Sequence, residues 1–272
     1  MTRGAGIEGE KISRGSLSFN FWGVQVQVRV DHDDDRAHLD YYFQDYRSAP
    51  SDVEPEFRLW LRSPTVPFTW DVADDQVVLI QDEEGVWRNA SVNRSVVPTP
   101  LPPFGLPPLS TRMRTVHGCA ATPRDDPDRA LLIHGASTVG KSSLLLGLLK
   151  EGWHFVSDDT VPVTAQHCFI PFTRPVGIRQ ATLQRTPWLA PFMSKAKKFD
   201  TPTGITAALH PRDFGAAISS AMPAWVWTVI VESSEDFDVE KLGPCTIKIS
   251  FDVRTHLAQA QEAILVLVEG RQ

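Results

Sequence analysis

The sequence predicts an α/β protein whose main domain is built on a strand–loop–helix phosphate-binding unit and is preceded by a small β-rich module. Three observations carry this. Gly135-Ala-Ser-Thr-Val-Gly140-Lys141-Ser142 stands between the apolar run Ala130–His134 and the leucine-rich stretch Ser142–Lys150. The first 97 residues alternate apolar and polar in short runs broken by Asp, Glu, Pro and Gly. Six prolines (Pro98, Pro100, Pro102, Pro103, Pro107, Pro108) crowd the stretch between the two patterns. Proline fixes φ and biases its predecessor to extended geometry, so 98–110 reads as a linker. The expected organisation is therefore a module over 1–97, a linker over 98–110 and a main domain over 111–272.

In the module, Leu17, Phe19 and Phe21 share one parity and Val24, Val26, Val28 and Val30 the other. The change at Trp22–Gly23 predicts a bulge or tight turn between two half-buried strands. Runs at Phe57–Leu61, Val77–Ile80 and Val86–Asn89 complete a small antiparallel sheet with no helical stripe. Asp33-Asp34-Asp35, Asp74-Asp75 and Asp125-Asp126 read as ordinary turns. In the main domain, Ala130–His134 is a strand, Ser142–Lys150 a helix ended by Gly152, and Trp153–Val156 a second strand. Strands are expected around Val161–Val163, at Cys168–Phe172, Trp225–Val231 and Cys245–Phe251. A helix is expected over Asp252–Ala263 with Asp252 near its N-cap, before a last apolar run, Ile264–Val268.

Composition narrows the function. The chain has 272 residues, 42% apolar and 22% charged, with net charge −6 from 27 basic and 33 acidic residues. No basic excess points to nucleic acid or an anionic membrane. Cys119, Cys168 and Cys245 lie far apart without a CxxC pair, which argues against a zinc cluster or disulfide framework and for a reducing, cytoplasmic setting. The N-terminus lacks a signal-type apolar core, and no stretch approaches 18 uninterrupted apolar residues.

The 135–142 octapeptide fills every fixed position of G-x-x-x-x-G-K-[ST]. From average composition, a chance match in a chain this long has odds on the order of 1%. The motif also sits where it must, after a strand and opening a helix. Gly135 and Gly140 let the loop (Ala136, Ser137, Thr138, Val139, then Lys141, Ser142 and Ser143) turn its N–H groups toward phosphate oxygens. Lys141 reaches the β- and γ-phosphates, the helix start adds its dipole, and the Ser142 hydroxyl is a Mg²⁺ ligand. ATP with Mg²⁺ is the expected pair.

Asp158-Asp159 ends the next strand. One carboxylate can hold Mg²⁺ while the other takes a proton from an acceptor hydroxyl. The expected division gives Ser142 and Asp159 to the metal and Asp158 to the base, with exchange of the two left open. Arg174, Arg179 and the run Lys195, Lys197, Lys198 are candidate partners for phosphate or substrate. Residues 190–212 form a candidate loop closing on the substrate.

Taken together, Arg114-Thr-Val-His117-Gly118, the 130–142 stretch and Gly152–Val163 resemble the HPr kinase/phosphorylase family, which carries a His-Gly ahead of the loop and a v-x-D-D-x-v strand after it. The resemblance covers residues 114–163. It implies a PEP-carboxykinase-type P-loop kinase fold, phosphoryl transfer to a serine hydroxyl, a ring-like homo-oligomer, and a place for His117 near metal or phosphate. The sequence departs from the family at Thr138, which replaces a loop glycine, and lacks the Glu-Ile-Arg-Gly segment tied to dephosphorylation and to HPr. Arg174-Pro-Val-Gly-Ile-Arg179 only echoes that segment. The resemblance thus implies a diverged relative, similar to tailoring kinases that phosphorylate serine on ribosomally made peptides. The expected function is an ATP- and Mg²⁺-dependent kinase with a serine-bearing peptide or protein as partner. The alternatives are a kinase of a small hydroxyl metabolite and a non-catalytic nucleotide-binding regulator.

Overall fold

The computed structural model describes residues 16–49, 55, 57–62, 77–81, 87–89, 113–201 and 204–269. The linker expected at 98–110 and the acidic pair Asp74-Asp75 lie outside them. The chain divides into two compact units, one holding the described residues up to 89 and the other those from 113 onward.

The first unit is a five-stranded sheet in the order β1-β2-β3-β4-β5. β1 (Ser16–Phe21) and β2 (Val24–Val30) form a hairpin that buries alternate residues on both strands. Trp22 and Gly23 turn it with φ of 53° and 95°, and the Gly23 N–H donates to Asn20 Oδ1 at 2.7 Å. The parity change at Trp22–Gly23 is therefore a tight turn. Two expectations fail in this unit. The acidic run does not make an ordinary turn but opens α1 (Asp33–Tyr42), where negative charge suits the positive end of a helix. Among its described side chains only Leu39 and Tyr42 are deeply buried, with Phe43 just beyond, so its apolar stripe is too thin to read from sequence. The sheet is also mixed. β3 (Phe57–Arg62) runs parallel to β2, because a connection carrying a helix can cross over and return in the same direction. β4 (Val77–Gln81) and β5 (Trp87–Asn89) then pair antiparallel.

The second unit is a mixed α/β domain around a seven-stranded sheet. Its strands are β6 (Met113–Thr122), β7 (Arg129–Gly135), β8 (His154–Ser157), β9 (Thr160–Thr164), β13 (Ala224–Ser233), β14 (Asp238–Gly243) and β15 (Thr246–Phe251). The order is β14-β15-β13-β7-β6-β8, with β9 also on β6. β7, β13 and β15 run parallel, so their carboxyl ends emerge on one edge. β8 and β9 both pair antiparallel with β6, Ser157 opposite Ala120 and Thr160 opposite His117. They therefore lie end to end along one partner, with Asp158-Asp159 in the break between them.

The helix α2 (Lys141–Lys150) packs its leucines on this sheet. Leu144, Leu145, Leu146 and Leu148 are 0–1% exposed, and each such burial contributes about 1.5–3 kcal/mol. A left-handed Gly152 (φ 91°) ends it. Gly147 permits the last helix, α4 (Leu257–Glu269), to approach, since a Cβ there would lie 1.5 Å from Gln261 Nε2. The opposite face of the sheet buries Ala130, Leu132, Val156, Val161, Val163 and Phe169. A smaller sheet joins β10 (Val176–Arg179), β12 (Gly204–Leu209) and β11 (Lys197–Thr201), with the short α3 (Gln180–Arg185) following β10.

Four further expectations are corrected here. Cys168–Phe172 makes only isolated bridges, Val163 to Phe169 and Cys168 to Ala224. The described part of 190–212 holds the end of a 3-10 helix (Pro187–Phe192) and the strands β11 and β12, which pair in an antiparallel ladder rather than standing as a loop. The last helix begins at Leu257 and absorbs the apolar run 264–268. Asp252 does not cap it. Its carboxylate accepts the Arg254 N–H at 2.8 Å and heads a separate turn. The edge strand β14 escapes sequence reading because it is almost wholly exposed and half charged, leaving no alternation to detect.

Candidate active site

The 135–142 loop leaves the carboxyl end of β7 and enters α2. Gly135 (φ 156°) lies against β13, where a Cβ would sit 2.2 Å from the Val231 carbonyl oxygen. Gly140 is left-handed (φ 108°), and a Cβ there would meet Val253 Cγ2 at 2.6 Å. These two positions demand glycine. Thr138 also takes positive φ, 70°, where a β-branched residue is strained. This is the position at which the sequence departs from the family it resembles. Ala136, Ser137 and Thr138 are exposed, while Val139 is buried and anchors the loop.

Lys141 is only 8% exposed and lies back across its own loop, donating from Nζ to the Gly135 and Ala136 carbonyls at 3.0 and 2.7 Å. Ser143 is buried in the same helical turn. Ser142 points to the aspartate pair, and its hydroxyl donates to Asp158 Oδ1 at 3.0 Å. The expected metal pairing was Ser142 with Asp159, but the hydroxyl faces Asp158.

The β8–β9 break is pinned from several sides. Asp159 is left-handed (φ 65°), its carbonyl accepts the Gly118 N–H at 3.3 Å, and the Asp158 carbonyl accepts the Thr160 N–H at 2.8 Å. Gly118 is required by packing, since a Cβ would lie 2.6 Å from the Ile133 carbonyl oxygen. Arg174 is 2% exposed and forks across the pair, donating to the Asp158 carbonyl from Nε (3.0 Å) and Nη2 (2.9 Å) and to Asp159 Oδ2 (2.8 Å). The guanidinium considered for phosphate or substrate is thus turned inward to hold the aspartates. His117 reaches the same place from β6, with Nδ1 at 3.1 Å from the Asp159 carbonyl oxygen and 3.5 Å from its Oδ1.

The two carboxylates differ sharply. Asp158 is 4% exposed, and burial, reinforced by the charge of Asp159, pushes its pKa up to about 6. Asp159 is about a third exposed. Burial pushes its pKa up, but the Arg174 guanidinium outweighs that and holds it below the usual carboxylate range. Beneath the loop, Cys119 Sγ donates to the Lys141 carbonyl at 3.4 Å; burial first, then Asp158, drives that thiol well above its ordinary pKa, so it stays protonated. His134, at the end of β7, has its pKa lowered by burial and by Lys141. Neither Cys119 nor His134 carried a sequence signal, since each reads as part of an apolar strand.

The structure gathers Lys141, Ser142, Asp158, Asp159, Arg174 and His117. It does not bring Arg179 or the lysine run into this network. Arg179 is exposed at the end of β10, Lys197 and Lys198 are exposed on β11, and Lys195 donates to the Asp213 carbonyl at 3.2 Å.

No family model matches the chain, and no curated protein matches it. Among solved structures, the HPr(Ser) kinase/phosphatase from Coxiella burnetii is similar at 18% identity, covering 58% of this chain and 95% of that one, with a TM-score of 0.31. At that score the likeness carries no weight for function, which has to be read from the side chains.

Proposed function

We propose that this chain is a phosphotransferase that binds ATP on the 135–142 loop and moves its γ-phosphoryl group to a hydroxyl, with a serine of a peptide or protein as acceptor. The observation that carries the reading is the 3.0 Å hydrogen bond from Ser142 to Asp158, which ties the first turn of a glycine-loop helix to a buried carboxylate pair. A static turn has no need of a buried carboxylate with a pKa near 6.

The donor set fits a hard divalent cation. The Ser142 hydroxyl and the Asp158 carboxylate are oxygen ligands already in contact, and they would hold Mg²⁺. Among the described residues no group of three His, Cys, Asp or Glu side chains is placed to hold a metal ion by itself, so coordination there would be shared with phosphate oxygens and water. When bound, the ion supplies positive charge that offsets the phosphates. The Lys141 ammonium can exchange a loop carbonyl for a phosphate oxygen. The backbone N–H groups at the start of α2 face the same anion. Asp159, the more exposed carboxylate, accepts the proton of the acceptor hydroxyl as the new O–P bond forms and the bond to the departing ADP breaks. Its low pKa is adequate, because little proton transfer precedes a loose phosphoryl transition state. Arg174 and His117 fix its orientation. Relative to the expectation from sequence, Asp158 and Asp159 exchange roles. A carboxylate pair of this kind has no task in a regulator that only binds nucleotide.

Incubation with γ-labelled ATP, Mg²⁺ and serine peptides, beside an Asp158→Asn control, tests the reading. Label on a serine that the control lacks is the expected result. ATP bound without transfer to any peptide would refute a peptide kinase.

A further inference from the structure

The flank of the loop facing away from the aspartates carries a cation that the reaction outlined above does not use. In the sheet order β15-β13-β7-β6-β8, the aspartates lie on one side of β7 and the end of β15 on the other. There Phe251 and Val253 crowd Gly140, the residue from which α2 starts. Asp252, between them, is occupied by its own turn. Arg254 donates to it from Nε at 3.0 Å and from Nη2 at 2.7 Å. Arg185, the last residue of α3, feels the charge of Asp252, and α3 packs on α2.

The Arg185 side chain makes no hydrogen bond or ion pair among the described residues, and its Nε is buried without a partner. Burial lowers its pKa, and Asp252 offsets that only in part. A buried N–H of a charged group left unbonded is costly, and such groups in folded proteins serve an ion, a bound water or a strain. Asp252 cannot serve it in full, since its Oδ1 already accepts the Arg254 backbone N–H and Nε, and its Oδ2 accepts Nε and Nη2. Thr182, three residues earlier on the same face of the short helix, is buried, so that face is turned inward.

We propose that Arg185 binds the inner phosphates of the nucleotide donor, on the flank of the loop opposite Asp158 and Asp159. The inference rests on the phosphotransferase reading. The phosphoryl group that moves must face Asp159, so the rest of the donor trails toward Gly140 and the end of β15. A guanidinium there donates to phosphate oxygens that are the same in ATP and ADP.

Calorimetric titration of the full chain with ATP and with ADP, in Mg²⁺, tests this. Arg185→Gln should weaken both nucleotides by the same factor, about tenfold or more. Arg185→Lys, which keeps charge but loses the fork, should fall between; it carries the same comparison if the glutamine variant melts early. Unchanged affinity in both variants overturns the assignment of Arg185 while leaving nucleotide binding intact. A loss confined to ATP also overturns it, because the arginine would then lie at the γ end. A wild-type chain that binds neither nucleotide overturns the phosphotransferase reading itself.

Discussion

Replacing Asp158 with asparagine should stabilise the second unit at neutral pH while abolishing transfer. The magnitude follows from the carboxyl's pKa of about 6 against an ordinary 3.8. The difference, 6 − 3.8, is about 2 units, and at 1.36 kcal/mol per unit this amounts to ~3 kcal/mol. The sign is destabilising for the wild type. An acid whose pKa is raised on folding binds protons more tightly folded than unfolded, so stability is lost as pH rises from about 4 and the loss is complete above about 6. Asparagine keeps an oxygen to accept from Ser142 and carries no charge to repel Asp159. Thermal melts of wild type and Asp158→Asn across pH 4–8 should nearly coincide at the acid end, separate between about pH 4 and 6 and keep a constant gap above it, with the variant melting about 5–10 °C higher there. Parallel curves across the range would show that the buried charge has no energetic cost and would remove the argument that it is kept for function.

The same ionisation should govern cation binding. At limiting Mg²⁺, log kcat/KM should rise with pH through about 6 and flatten above it; an acid limb displaced below pH 4 would place the ligand elsewhere. Thr138→Gly relieves a left-handed β-branched residue, about 1–2 kcal/mol, against an entropic cost of about 0.5–1 kcal/mol, so a rise in Tm of a degree or two is expected. Gly140→Ala forces a Cβ to 2.6 Å from Val253 Cγ2 at φ 108° and should lower both Tm and nucleotide affinity, the second read by calorimetry. Arg174→Met strips Asp159 and two backbone contacts of their donor. With Asp159 a third exposed, a loss of about 2–3 kcal/mol is expected in urea titration, together with a higher pKa for Asp159 by NMR.

The parts of the site that were legible in the sequence are those written as short contiguous patterns. The octapeptide required a strand before it and a helix after it, and β7 and α2 fall on either side. Asp158-Asp159 was legible because two acids end an apolar run sixteen residues beyond Ser142. Which carboxylate faces Ser142 was not legible, since it depends on a left-handed Asp159 and on Arg174 folding back from outside the strand. The inward turn of Arg174 is likewise a tertiary event, with no local spacing to announce it. In the first unit, α1 was hidden by a charged sequence with few buried residues. The parallel pairing of β2 with β3 follows from that same unread helix.

β6 has the two halves of the candidate site on either side of it. The glycine loop hangs from β7 along one border, and the aspartate break interrupts β8 and β9 along the other. The spacing between loop and carboxylates is therefore gauged by the rungs of two ladders, not by the reach of side chains. His117 and Gly118 sit at the point on this keel where both borders come due. Extra residues spliced into the 123–128 turn would ride outside the gauge, whereas one residue added within 113–122 would slide the carboxylates past the loop by a full notch.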